Sequence, residues 1–233
     1  MAGSSTAGVQ ERGVGIAPSA IRRESEALEG ADAHTIVRVA IERWGNRICV
    51  GTSFSDTVLV HLVTTVAPDT EVLFLDTGFH FAETLQTMRS AQARYGLNLN
   101  VVRPPASAPD LWSAGTEACC AARKVDGLRA AIADGGFEAW FTGLRRADSE
   151  ARRTVPIIGA DKHGIFKVNP LANWSDADVA NYAAEHDLVA NPLLDQGFTS
   201  VGCWPCTEPA TSGDARSGRW PGSAKTECGL HLD

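Results

Sequence analysis

The sequence predicts an α/β fold on a mostly parallel sheet, ending in an irregular C-terminal segment. Three observations predict it. Short apolar runs alternate with helix-like stretches from about Ala33 onward. Turns rich in Ser, Thr, Asp and Gly follow two of those runs. After about Asn191 the periodicity gives way to Gly, Pro, Ser and Thr. Strictly alternating elements favour parallel strands joined by helical crossovers.

Residues 1–30 read as a flexible leader of small and polar residues without the apolar core of a secretory signal. The α/β domain is expected over 31–200 and the C-terminal segment over 201–233. Within the domain, 47–51 (RICVG) is a short buried strand and 56–66 (DTVLVHLVTTV) an apolar helix. The run 71–75 (EVLFL) suits a strand covered on both faces. Residues 81–95 have helical spacing, with Gly96 as C-cap. A third strand covers 98–102, a helix around 118–133 carries Cys119 and Cys120, and a fourth strand covers 138–142. Shorter β pieces are expected near 155–158 and 165–168. Ser175 and Asp178 make a capping box for a helix at 176–186.

The 233 residues carry 21 Lys and Arg against 28 Asp and Glu, a formal charge of −7. That balance argues against a general nucleic-acid binder but allows a small anionic ligand held by clustered cations. No run approaches the roughly 20 apolar residues of a membrane span. A reducing cytoplasm is therefore expected, where cysteines serve metals or catalysis more often than disulfides. The sequence leaves room for a homo-oligomer.

Cysteine spacing is the sharpest signal. Cys119-Cys120 and Cys203-Trp-Pro-Cys206 offer four thiolates from two distant segments, suited to zinc or an iron–sulfur cluster. Neighbours on a helix point about 100° apart. One zinc ion is poorly served by that, whereas a cubane offers each thiolate its own iron. A [4Fe–4S] cluster is favoured over zinc, and over a vicinal disulfide or simple packing. Lys124 follows Cys120 by four residues and shares its helix face, where a cation would balance an anionic cluster.

Two strand-to-helix turns form a candidate anion or nucleotide site: Thr52, Ser53 and Asp56 in one, Asp76, Thr77 and Gly78 in the other. Arg145 and Arg146, after the fourth strand, and Arg216 and Arg219, in the tail, are candidate phosphate or sulfate forks. Arg152 and Arg153 read as a solvated turn. Cys228, flanked by glycine, is a candidate nucleophile, with His231 among the groups able to activate it. Cys49 reads as core, and the remaining histidines lack metal-ligand spacing.

The stretches LDTGFHFAET, CCAARKV, TGLRR, KVNPL, WSDADV, VGCWPC, SGRW and KTECGLH resemble the sulfonucleotide reductase family, and within it the cluster-containing adenylyl-sulfate reductases. The resemblance runs from about Ile36 to His231. Its loop TSFSDT departs from the glycine that members often carry there. The resemblance implies a Rossmann-like fold of the adenine-nucleotide α-hydrolase type. It implies one [4Fe–4S] cluster on Cys119, Cys120, Cys203 and Cys206. It implies that Cys228 attacks the sulfur of adenylyl sulfate, expels AMP and becomes an S-sulfocysteine. Thioredoxin or a similar dithiol then releases sulfite. Members lacking the cluster cysteines use 3′-phosphoadenylyl sulfate, so the set here favours the unphosphorylated substrate, with the phosphorylated one as the alternative. An ATP-pyrophosphatase-type enzyme fits less well, because the loop lacks a glycine-rich SGGxD pattern, and a zinc or redox-sensing module is the non-enzymatic rival.

Overall fold

A computed structural model describes residues 17–161, 164–211, 215–223, 225–227 and 229–231. Six strands form one sheet in the order β3-β2-β1-β4-β6-β5: β1 (Ile48–Thr52), β2 (Val72–Leu75), β3 (Leu99–Val102), β4 (Ala139–Phe141), β5 (Ile158–Ala160) and β6 (Phe166–Val168). All neighbours pair in parallel except β5, which runs antiparallel on the edge beside β6. The predicted strands are all present. β1, β2 and β4 read as continuous apolar runs because both faces of the sheet are covered.

One face carries the larger core, in which Val50, Leu62, Phe74 and Phe141 meet Ile36 and Val37. Those two come from α2 (Ala33–Trp44), whose N-terminus is capped by Asp32 accepting from the Thr35 amide at 2.8 Å. α3 (Val58–Val66) and α4 (Ala82–Tyr95) pack on the same side, and Gly96 ends α4 in the left-handed region (φ 64°). The opposite face holds Cys49, Leu73 and Trp140 against Leu128 and Ile132 of α6 (Asp126–Asp134). Helices on both faces make the sheet doubly wound. α7 (Asp176–Glu185) begins with the predicted Ser175–Asp178 capping box.

The helix expected at 118–133 is built in three pieces. α5 (Leu111–Cys120) is broken at Gly115 (φ 79°, ψ 172°) and continues through a π-helical segment, Ala121–Val125, into α6. Cys120, the π segment and α6 therefore form one continuous rod with a widened turn.

The leader expected at 1–30 needs correcting where the structure describes it; residues 1–16 lie outside the described residues. Pro18–Ala27 form a helix, α1, which places Ile21 (4 % exposed) and Leu28 in the main core. The Ser25 hydroxyl accepts from the Ile158 amide on β5 at 3.0 Å. The composition looked loose because the helix buries few side chains among many polar ones. No described helix is long and apolar enough to cross a membrane.

Ile21→Ala should lower the unfolding free energy by about 2–4 kcal/mol, the cost of emptying a buried aliphatic site. A urea titration checks it. A loosely held leader would give a change within roughly 0.5 kcal/mol.

Candidate active site

The chain leaves β1 toward β2 on one side and reaches β4 on the other, so the loops after β1 and β4 diverge at the sheet's carboxyl edge. Open α/β sheets bind ligands at such a switch point. Here the crevice is a cavity of about 250 Å³, walled by Gly51 and Thr52 at the end of β1, Ser53 and Asp56 after it, Thr142 to Arg145 after β4, and residues 199–202, Ala215, Arg216 and Arg219 of the tail.

The first loop is held from several sides. Phe54 is wholly buried against Phe74 and takes a left-handed backbone (φ 50°), a conformation easier for glycine. Its amide donates to the Thr52 hydroxyl at 3.1 Å, and its carbonyl accepts from Asn191 Nδ2 at 3.0 Å. The Ser55 hydroxyl accepts from the Val201 amide at 3.2 Å, tying the tail to the loop. Asp56 Oδ1 accepts from the Val58 amide at 3.0 Å. Its side chain is exposed toward the cavity, with protein packed around that opening. Desolvation raises its carboxyl pKa, against the opposing pull of that amide and of Arg145. Gly51 is required, since a Cβ would lie 2.6 Å from the Trp140 ring.

A chain of ion pairs lines the opposite wall. Arg145 bonds Asp148 (2.7 Å) and Asp176 (2.8 Å). Asp148 also accepts from Arg152 at 2.8 Å. Arg152 grips Glu227 with two parallel bonds of 2.7 and 2.8 Å, and Arg216 adds a third at 3.1 Å. Burial and the neighbouring Arg152 push the Arg216 guanidinium down to about 10. Arg219 lies over the Trp220 ring at 4.5 Å and bonds the Ser200 hydroxyl at 3.2 Å. Gly202 makes room for it, since a Cβ there would meet the guanidinium at 2.4 Å.

The tail itself closes the cavity. Beside Glu227, Leu230 packs on the Leu128–Trp140 cluster, and His231 stacks on Trp140 at 5.9 Å with planes 10° apart. Burial, reinforced by Arg152, pushes the His231 imidazole down to about 3.

Next to this cavity lies a smaller one. Cys119, Cys120, Cys203 and Cys206 all line it, with Thr77, Phe79 and Arg123. The Thr77 hydroxyl lies 3.3 Å from Cys203 Sγ, and the Cys206 amide donates to the Cys203 carbonyl at 3.0 Å. Burial and the Cys203 sulfur push the Cys119 and Cys206 thiols up. No three His, Cys, Asp or Glu side chains among the described residues converge as a site for a single metal ion. Four soft donors ringing one cavity are instead the donor set that a cluster with several irons takes. Lys124 lines both cavities and stands in the wall between them.

Of the predicted substrate residues, Thr52, Ser53, Asp56, Lys124, Arg145, Arg216, Arg219 and His231 line the larger cavity. Thr77 lines the cysteine cavity instead. Asp76 and Gly78 line neither. The Asp76 carboxylate accepts from Arg103 (3.2 Å) and from the Gly78 amide (3.1 Å), which shapes the turn beneath Cys203. Arg146 also needs correcting: it turns away to Glu29, with two bonds of 2.8 Å, and to Asn173 and the Val155 carbonyl. It fastens the end of α1 to the sheet. Cys228 lies outside the described residues.

Sequence reasoning missed Arg152, Trp140 and His80. Arg152 was assigned to a solvated turn with Arg153, which does stay outside, paired with Glu150. His80 lines the cavity, donates through Nε2–H to the Leu75 carbonyl at 2.9 Å, and is lowered in pKa by burial. Arg123 was also passed over. It bonds the carbonyls of Thr77, Ala108 and Pro109 and so frames the cysteine cavity.

Residues 48–209 match the phosphoadenosine phosphosulfate reductase domain. The chain is 43% identical to the adenosine 5′-phosphosulfate reductase of Rhodococcus opacus, over 90% of this chain and 92% of that one. It is 42% identical to the Streptomyces coelicolor protein of the same name, over 97% and 99%. Among solved structures, the phosphoadenylyl-sulfate reductase of Candida auris superposes with a TM-score of 0.74 at 26% identity, covering 83% of this chain and 98% of that one. The FMN adenylyltransferase of Candida glabrata superposes at 0.61 with 15% identity, over 83% and 65%, a likeness of fold alone.

The depressed pKa of His231 carries a pH signature. Its folded value lies below the ordinary 6.5, so the stability that neutral His231 lends to the seated tail should be fully present above about pH 6.5 and should fall as pH drops from there toward 3. Hydrogen exchange at the Gly229 and Leu230 amides, corrected for intrinsic rate, should show protection falling over that window. His231→Gln should remove this dependence.

Proposed function

The chain belongs to the phosphoadenosine phosphosulfate reductase family, and from that premise we propose that it reduces adenylyl sulfate to sulfite and AMP with Cys228 as the nucleophile. One observation carries the reading beyond the family: a cation-walled cavity at the switch point shares Lys124 with a four-cysteine cavity, and Glu227, Leu230 and His231 of the tail line it.

The chemistry balances as two thiol displacements. The Cys228 thiolate attacks the sulfur of the bound sulfate group, and a sulfur–sulfur bond forms. The sulfur–oxygen bond to the phosphate breaks, and AMP leaves with the electron pair. A thiolate of an external dithiol protein, thioredoxin or similar, then attacks Cys228 Sγ and expels sulfite. Its second thiol resolves the mixed disulfide. The substrate sulfur gains two electrons, and the dithiol loses them on becoming a disulfide. Such a cycle requires a reducing compartment, in keeping with a cytoplasmic enzyme.

The protein's task is to hold two anionic groups beside a thiolate. Arg219 and Lys124 supply positive charge on the cavity wall, Arg145 being paired with Asp148 and Asp176, while the Ser53 and Thr52 hydroxyls offer neutral donors. Trp140 supplies an apolar wall. Cys119, Cys120, Cys203 and Cys206 are the residues to hold a [4Fe–4S] cluster. When bound, it would supply local charge and staple the tail to α5. Lys124 is placed to carry that charge balance from one cavity to the other.

Anaerobic purification with iron and acid-labile sulfide assays, coupled to sulfite release, tests the reading. Cys228→Ser should abolish the labelled sulfo-adduct and cut turnover on the order of 10⁴-fold or more. Cys203→Ser should lose the brown visible absorbance. Arg219→Ala should raise KM by about 10–100-fold, equal to the roughly 1.5–3 kcal/mol of a charged hydrogen bond. A colourless protein with stoichiometric zinc would overturn the cluster, and a higher kcat/KM for the 3′-phosphorylated substrate would overturn the substrate choice.

A further inference from the structure

We propose that Glu227 is a positioning residue whose clamp by Arg152 and Arg216 seats the tail in the cavity. The inference rests on the reading of Cys228 as nucleophile, its immediate neighbour in sequence.

The Glu227 carboxylate is 6 % exposed and takes three bonds from two guanidiniums: 2.7 and 2.8 Å from Arg152, and 3.1 Å from Arg216. Arg152 is fixed in turn by Asp148 at 2.8 Å. A parallel fork of this kind sets both position and orientation. On the far side of residue 228, Leu230 and His231 rest on the apolar cluster and on Trp140. The tail thus has an ionic anchor at Glu227 and an apolar one at Leu230 and His231. An apolar anchor alone would let the segment slide across the Trp140 face, whereas the fork fixes its register.

The arrangement also divides labour among the cavity's cations. Arg152 and Arg216 are neutralised largely by Glu227 and Asp148, so they serve the tail. Substrate charge then falls to cations elsewhere on the wall, Arg219 among them. An acidic residue before a nucleophilic cysteine would ordinarily disfavour its thiolate. Held between two guanidiniums, Glu227 has its charge spent locally.

Two measurements on the holoenzyme test this. Iodoacetamide labelling of Cys228, read by mass spectrometry without substrate, reports seating. Cys49 is wholly buried and stays silent. Glu227→Gln should label Cys228 at least about fivefold faster than the native chain, because removing one partner of a buried pair releases the other. Single-turnover adduct formation should slow at least about tenfold with KM no higher than native, the signature of lost positioning rather than lost binding. Glu227→Asp keeps the charge at shorter reach and should fall between the two. It also carries the comparison if the glutamine variant does not fold. Equal labelling rates, or a loss expressed only through KM, would overturn the clamp. Failure of the nucleophile reading would look different: Cys228→Ser would then keep forming adduct whatever Glu227 does.

Discussion

Parallel pairing of β1 with β4, Ile48 opposite Ala139 and Val50 opposite Phe141, forces the loops that follow them apart at one edge of the sheet. The opening this leaves is what the rest of the molecule fills. The β1 loop turns back into α3 through Asp56, and the β4 loop turns away into a short helix, Arg146–Asp148, capped by Arg145. The tail crosses between them, held by Ser55 on one side and Arg152 on the other. Had the two strands sat apart in the sheet, the tail would have no crevice to cross.

Charge is handled in this crevice by pairing rather than by exposure. Arg145, Asp148, Arg152, Glu227 and Arg216 alternate in sign along one wall. Buried pairs of this sort contribute modestly to net stability, since desolvation offsets much of their attraction. What they contribute is geometry: each side chain has one well-defined place. The chain as a whole is acidic, yet this wall concentrates guanidiniums.

The sheet was legible because buried parallel strands require continuous apolar runs, and EVLFL and EAWFT are such runs. The four cysteines were legible through spacing alone, and they do share one cavity. Arg145 and Arg146 show where legibility stops. They are adjacent, and sequence gives no reason to separate them, but one points into the cavity and the other to Glu29 on the far side. Arg152 was hidden for the opposite reason: its partner Glu227 lies 75 residues away. α1 escaped notice because, among its described side chains, Ile21 is the one strongly buried aliphatic, with Leu28 just beyond its end, too few to print a periodic stripe. The loop TSFSDT, which includes Phe54, was read as departing from the glycine of the family. The structure supplies the reason a large residue fits there, since its ring is anchored in the core while its backbone keeps the left-handed turn.

The widened π turn at Ala121–Val125 sits between the cysteine pair and the core-facing residues Leu128 and Ile132 of α6. It acts as a phase shifter: the cysteines answer to one cavity, the leucine and isoleucine to the sheet, and Lys124 to the wall between. Excising one residue from that turn would restore regular α geometry and swing the cysteines by about 100° relative to the sheet-facing side. The rod can have an ideal hydrogen-bond ladder or serve both neighbours at once, and this chain has settled for the second.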